Sequence, residues 1–104
     1  MVFIETRVFT KAICKLMSDE DYAELQMELC EHPDSGKVIP GAGGLRKIRW
    51  KGSGRGKRGG TRIIYYWWVS KEQISMLLAY PKNEQDDLTK DQIKILKKLM
   101  EEDA

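Results

Sequence analysis

The sequence is poor in the side chains that bind metals or build disulfides. Its 104 residues include two cysteines, Cys14 and Cys30, and one histidine, His32. Thiols this sparse do not form a disulfide framework. Both fall in helix-like segments, which predicts two buried, reduced thiols. One histidine and two separated cysteines fall short of a zinc ligand set, and no Ser-His-Asp or Cys-His constellation can be assembled. His32, next to Pro33, reads as a solvated helix-end residue, where cations are favoured. No run of about 18 apolar residues occurs, so no membrane-spanning helix is expected. The N-terminal stretch MVFIETRVFTKAICK breaks its apolar positions with Glu5, Arg7 and Lys11. That is a poor signal-peptide core and points to a cytoplasmic protein. The P-loop pattern G-x-x-x-x-G-K-[ST] is missing. Gly54, Gly56 and Gly59 formally satisfy G-x-G-x-x-G, but a strand pattern follows them where a dinucleotide site needs a helix.

The most informative scarcity is of acid. Between Asp34 and Glu72 there is no Asp or Glu, yet that window holds Lys37, Arg46, Lys47, Arg49, Lys51, Arg55, Lys57, Arg58, Arg62 and Lys71. The carboxylates gather at both ends, so the formal net charge of +2 conceals a one-sign block. Such a block is an electrostatic footprint for a polyanion. The competing reading is a solvated loop. Against it, arginines are prominent and several sit on strand patterns.

The chain length suits one domain, residues 1–104, with one core. VFIE near the start reads as a short strand, and FTKAICKLM as one or two helical turns. Ser18 caps a helix with Asp21 as capping partner; Tyr22, Leu25, Gln26 and Leu29 line one face, widened by Ala23, Met27 and Cys30. Pro33 and the following DSG end it. GAGG (41–44) is a turn. LRKIRW, TRIIYYWWV and QISMLLAY are strands by their β-branched and aromatic content. Pro81 closes the sheet and 82–88 form a loop. Thr89 caps a last helix with Ile93, Leu96, Leu99 and Met100 as its apolar stripe. The expected fold is α+β: a small, antiparallel-dominated sheet packed by an N-terminal helical hairpin, with a short C-terminal helix.

Strand periodicity sorts the cations. Arg62, Ile64, Tyr66 and Trp68 share one face of their strand; Thr61, Ile63, Tyr65 and Trp67 share the other. On the last strand Ile74, Met76, Leu78 and Tyr80 are expected on one face. A helix-free sheet face carrying Lys47, Arg49, Arg62 and Tyr80, rimmed by the glycine-rich basic loop, follows. Tyr65 and Trp67 are expected in the core, and Tyr66 and Trp68 to stack bases or anchor a protein partner.

The combination GGLRKIRW, GKRGGTRIIYYWW and LLAYPKNE resembles the HigB-type branch of the RelE/ParE toxin superfamily over nearly the whole chain. The resemblance implies a RelE-like microbial RNase fold and the toxin of a bacterial type II toxin–antitoxin pair. It further implies ribosome-dependent mRNA cleavage in the A site without metal or cofactor, and neutralisation by a HigA-like helix-turn-helix antitoxin. The pattern lands on Lys47, Arg49, Lys57, Arg58, Arg62, Tyr80, Lys82 and Glu84. It departs from relatives that place a catalytic His or Tyr in the C-terminal segment, since LTKDQIKILKKLMEEDA has neither. The acid and the base therefore stay unassigned.

Metal-free RNA cleavage uses the substrate 2′-OH as nucleophile, with a proton acceptor, a proton donor for the 5′-oxygen, and cations for the phosphorane. Arg62 is the first candidate for the last task because its fork fits phosphate; the alternative is a cross-strand ion pair. Lys47, Lys57 or Lys82 would serve as base if neighbouring cations lower its pKa. Tyr80 would share proton transfer or stack on a base. Glu84 is either a base or a solvated carboxylate. Arg46, Lys47, Arg49, Lys51, Arg55, Arg58, Tyr66 and Trp68 are the candidate RNA and ribosome contacts. Two other functions remain open: a ParE-like toxin that inhibits DNA gyrase by binding, and a non-catalytic RNA-binding module.

Overall fold

The computed structural model describes residues 1–51 and 60–103. Arg55, Lys57 and Arg58 lie outside the described residues. The element order is β1 (Val2–Glu5), α1 (Arg7–Leu16), α2 (Asp19–Glu31), β2 (Lys37–Val38), β3 (Arg46–Trp50), β4 (Thr61–Trp68), β5 (Gln73–Pro81) and α3 (Lys90–Asp103). The strands form one mixed sheet in the order β1-β5-β4-β3-β2. β1 runs parallel to β5 and the other pairs are antiparallel. This is the α+β architecture expected, with β2 added at one edge.

Caps set the helix starts. Thr6 Oγ1 accepts from Phe9 N–H, and Ser18 Oγ from Asp21 N–H at 3.1 Å. Thr89 and Gln92 cap α3 reciprocally: Gln92 N–H donates to Thr89 Oγ1 at 3.1 Å, and Thr89 N–H to Gln92 Oε1 at 2.9 Å. Two orphan donors are satisfied together. Helix α1 runs for ten residues, longer than the one or two turns expected.

Two apolar layers sandwich the sheet. On one face Phe9 and Ile13 of α1 and Leu25 and Leu29 of α2 pack against Ile48, Ile63, Tyr65, Ile74 and Met76. On the other, Leu96 and Met100 of α3 pack with Ala42, Leu45, Ile64, Leu77 and Tyr80. Tyr65 belongs to the core as expected. Its hydroxyl donates to Pro33 C=O at 2.7 Å and accepts from Gly36 N–H at 2.8 Å. A Cβ on Gly36 would lie 2.7 Å from the Tyr65 ring, so glycine is required there. Trp67 is half-buried against the same layer.

Three expectations fail for identifiable reasons. Cys14 and Cys30 are exposed, not buried. The buried stripes are Phe9 and Ile13 on α1, and Asp21, Leu25 and Leu29 on α2, each at i, i+4 spacing. Each cysteine sits one residue past its stripe, about 100° round the helix; Ala23 and Met27 are exposed as well. On β5 the four-residue face is split. Tyr65 pairs with Met76 but Ile64 pairs with Leu78, which leaves Leu77 as an extra residue. A bulge of this kind inverts the alternation beyond it, so Ile74 and Met76 face the hairpin while Leu78 and Tyr80 face α3. Finally, the second sheet face is not helix-free, because α3 covers most of it.

Candidate nucleic-acid interface

Lys47 and Arg49 project from β3 on the α3 side of the sheet, opposite the face that holds Ile48. Register then stacks like charges. Lys37 lies directly across from Lys47, and Arg49 from Arg62. Arg62 in turn lies across from Tyr80. Like charges directly opposite destabilise a sheet. Here two such pairs adjoin on one face, next to Tyr80 of the α3 layer.

The loop 82–88 offsets part of that cost. Asp87 Oδ1 accepts from Lys47 Nζ at 2.7 Å. Asp86 Oδ1 accepts from Arg62 Nε at 3.2 Å, and the Asp86 carbonyl accepts from Lys47 Nζ and from the Tyr80 hydroxyl, both at 3.3 Å. Arg62 is only 2% exposed and Tyr80 7%. The expected solvent-facing arginine is therefore a buried one, covered by a loop 24 residues away in sequence. Asp86 and Asp87 were missed among the candidate residues. The available signal was an adjacent acidic pair just past the strand that ends at Tyr80 and Pro81.

Electrostatics set the protonation states. The Arg62 hydrogen bond, aided by Lys47 and Arg49, holds the Asp86 carboxyl below the usual range despite some desolvation. It is ionised at neutral pH and a weak proton acceptor. The clamp is thus complete at neutral pH and is lost as pH falls through the depressed pKa. Burial raises the Tyr80 phenol, Asp87 and Asp86 add to this, and Arg62 opposes it. Tyr80 accordingly stays protonated, a donor and not a phenolate base.

Other candidates are placed elsewhere. Arg46 points to the hairpin side, where its Nη1 donates to Gly36 C=O at 2.8 Å and more weakly to Asp34 C=O at 3.4 Å. It secures the connection after α2. Tyr66 and Trp68 lie under α3 with ring centroids 4.6 Å apart. Trp68 Nε1 donates to Ser75 Oγ at 2.9 Å, and Lys71 Nζ sits 4.6 Å from its ring centroid. Their roles are packing contacts, not an open stacking platform. Lys51 and Lys82 are exposed near the cationic row. The Lys82 N–H donates to Gly60 C=O at 3.3 Å, tying the loop to the start of β4. Gly60 has φ of +70°, and a Cβ there would lie 2.5 Å from the Trp50 carbonyl oxygen. Glu84 lines a cleft with Val8, Lys11 and Lys15 of α1, away from Arg62. Among the described residues no cluster of three or more His, Cys, Asp or Glu could hold a metal ion, and no helix is long and apolar enough to cross a membrane.

The carboxylates now on Lys47 and Arg62 occupy positions suited to a phosphate. Replacing both aspartates, Asp86→Asn with Asp87→Asn, is expected to strengthen binding of single-stranded RNA a few-fold, the scale of competing exposed ion pairs. The salt dependence of binding should steepen. Fluorescence anisotropy over a salt series measures both.

A sequence model described as the RelE toxin of the RelE/RelB toxin–antitoxin system matches residues 5–103. The fold is similar to the crystal structure of the intact Escherichia coli RelBE toxin–antitoxin complex, with a TM-score of 0.57 and 20% identity over 75% of this chain and 92% of that one. It is also similar to the free state of an arginine-substituted double mutant of E. coli toxin RelE. There the TM-score is 0.58 and the identity 16%, over 82% of this chain and 86% of that one.

Proposed function

This chain belongs to the RelE toxin family of RelE/RelB toxin–antitoxin systems, and from that premise we propose that it is a HigB-type, ribosome-dependent mRNA endoribonuclease. The observation that carries this reading is the pair of like-charge cross-strand contacts, Lys37 with Lys47 and Arg49 with Arg62, adjoining a protonated tyrosine. Such a row is stabilised by an anion, and a phosphodiester backbone supplies one at every step.

In this reaction the 2′-oxygen of the RNA attacks the adjacent phosphorus and the bond to the 5′-oxygen breaks. The products are a 2′,3′-cyclic phosphate and a 5′-hydroxyl. Arg62, with Lys47 and Arg49, stabilises the added charge on the phosphorane; one preorganised donor of this kind is worth roughly 3–4 kcal/mol. Tyr80 gives its proton to the leaving 5′-oxygen. The 2′-OH proton goes to a side-chain base, for which Lys57 and Lys82 are the candidates. No metal or cofactor enters the scheme.

The covered state of Arg62 and Tyr80 gives the ribosome a physical task. Asp86 and Asp87 must leave before a phosphate can enter, and a ribosome that presents mRNA in a fixed pose supplies the orientation. Orientation alone is worth roughly 7–11 kcal/mol. The partners in this reading are the ribosomal A site with its mRNA and a HigA-like helix-turn-helix antitoxin, in the bacterial cytoplasm. The RelBE complex among the similar structures supports a protein antitoxin.

Induction in bacteria is expected to stop growth through translation. Purified, nuclease-free protein is expected to cut mRNA on ribosomes and to cut naked RNA poorly. Pulse labelling separates the alternatives. A fall in DNA synthesis that precedes any fall in protein synthesis would establish the gyrase-binding reading instead.

A further inference from the structure

Beside the cationic row lies a cleft of ≈ 400 Å³ whose lining includes Val38, Ile39 and Pro40 together with Lys37, Lys47 and Arg49. The volume lies in the ~300–1,000 Å³ range of small-molecule sites. Its composition is unlike that of a simple phosphate track. Aliphatic and cationic side chains line it together, and the cleft adjoins β2, which lies at the sheet edge. Val38 is 53% exposed, so the apolar wall is open to a ligand. Asp87 also lines the cleft and pairs with Lys47 there.

The geometry points to a nucleotide subsite: one nucleobase of the bound RNA inserts between Val38, Ile39 and Pro40, and its phosphate replaces the Asp87 carboxylate on Lys47. This rests on the reading of the cationic row as an RNA site, and it adds a place where base identity is sensed. Three features support it together. A base is flat and apolar on its faces, matching the aliphatic walls. Its phosphate is an anion, matching Lys37, Lys47 and Arg49. The edge strand offers unpaired main-chain groups of the kind that read a base edge.

The test compares two 2′-O-methylated RNA hexamers that cannot be cleaved, one carrying all bases and one with an abasic centre. The base-bearing hexamer is expected to bind about fivefold tighter or more, toward the lower end of the range for stacking on protein surfaces. Amide NMR shifts should centre on Val38, Ile39 and Ile48. Val38→Gln keeps the charge and places a polar side chain on the exposed wall. It is expected to abolish the difference between the hexamers while leaving abasic affinity and melting temperature unchanged; Met27→Gln on α2, 63% exposed at its methionine, is the control. Equal binding of the two hexamers removes the subsite and leaves the cationic row standing; shifts confined to Lys90, Lys94 and Lys97 of α3 place the RNA elsewhere and remove both. If neither hexamer binds the folded protein, the subsite falls, and cleavage on ribosomes alone decides the RNA reading.

Discussion

Arg62→Ala is expected to slow ribosome-dependent cleavage by a factor of several hundred to a thousand. That factor corresponds to losing one charge-stabilising donor worth roughly 3–4 kcal/mol in the transition state. From the sequence, the same substitution would leave the fold untouched, because a solvent-facing strand arginine holds little of the core. Burial changes that expectation. Arg62 is 2% exposed, and its removal leaves a void under the loop 82–88. A stability loss of roughly 1–3 kcal/mol follows, seen as a melting temperature lower by roughly 5–15 °C for a domain of this size. Assays therefore belong well below the variant's transition. Lysine at position 62 restores charge but not the planar fork, so it should recover only part of the rate.

Asp86→Asn decides between the two roles of Arg62. If the arginine served only the ion pair, loss of either partner would impair the protein alike. If it clamps phosphate, Arg62→Ala abolishes cleavage while Asp86→Asn leaves it intact or raises it, since a competing anion has gone. Single-turnover cleavage on programmed ribosomes, with melting curves for each variant, reads the outcome. A folded Arg62→Ala protein that cleaves at the normal rate would return the residue to a purely structural role.

Tyr80→Phe should lower the cleavage rate by about 10²–10⁴, the range for a lost general acid. Stability is expected to change little. The ring stays in the α3 layer, and the hydroxyl loses only a 3.3 Å contact to the Asp86 carbonyl. A bond of that kind contributes about 1 kcal/mol or less. The pH profile carries a second signature. Because the Tyr80 pKa is raised above its ordinary value of 10.0, the donor form persists throughout the neutral range. Activity that depends on it should show no Tyr80-linked loss until pH rises past that ordinary value. A tyrosinate base would give the opposite limb, with activity increasing as the phenol ionises. Full activity in Tyr80→Phe would place the acid on another residue.

Much of this protein was legible in its sequence because local periodicity carries the information. Alternation on β4 separated Tyr65 from Arg62, and alternation on β3 grouped Lys47 with Arg49. Caps at Ser18 and Thr89 marked two helices, and spacing located the centres of their buried stripes, Leu25 with Leu29 and Leu96 with Met100. The long interval without carboxylates marked the cationic region before any register was known. Tertiary structure decided what periodicity cannot carry. A single extra residue, Leu77, turned Tyr80 toward α3 and split the face that strict alternation had assigned to β5. Helix α3 covered Tyr66 and Trp68, so their apolar surface serves packing. The loop 82–88 brought Asp86 and Asp87 onto Arg62 and Lys47, 24 and 40 residues away in sequence. Exposure and charge pairing are set by which distant segment folds over a side chain, and that is a property of the closed structure, not of any stretch within it.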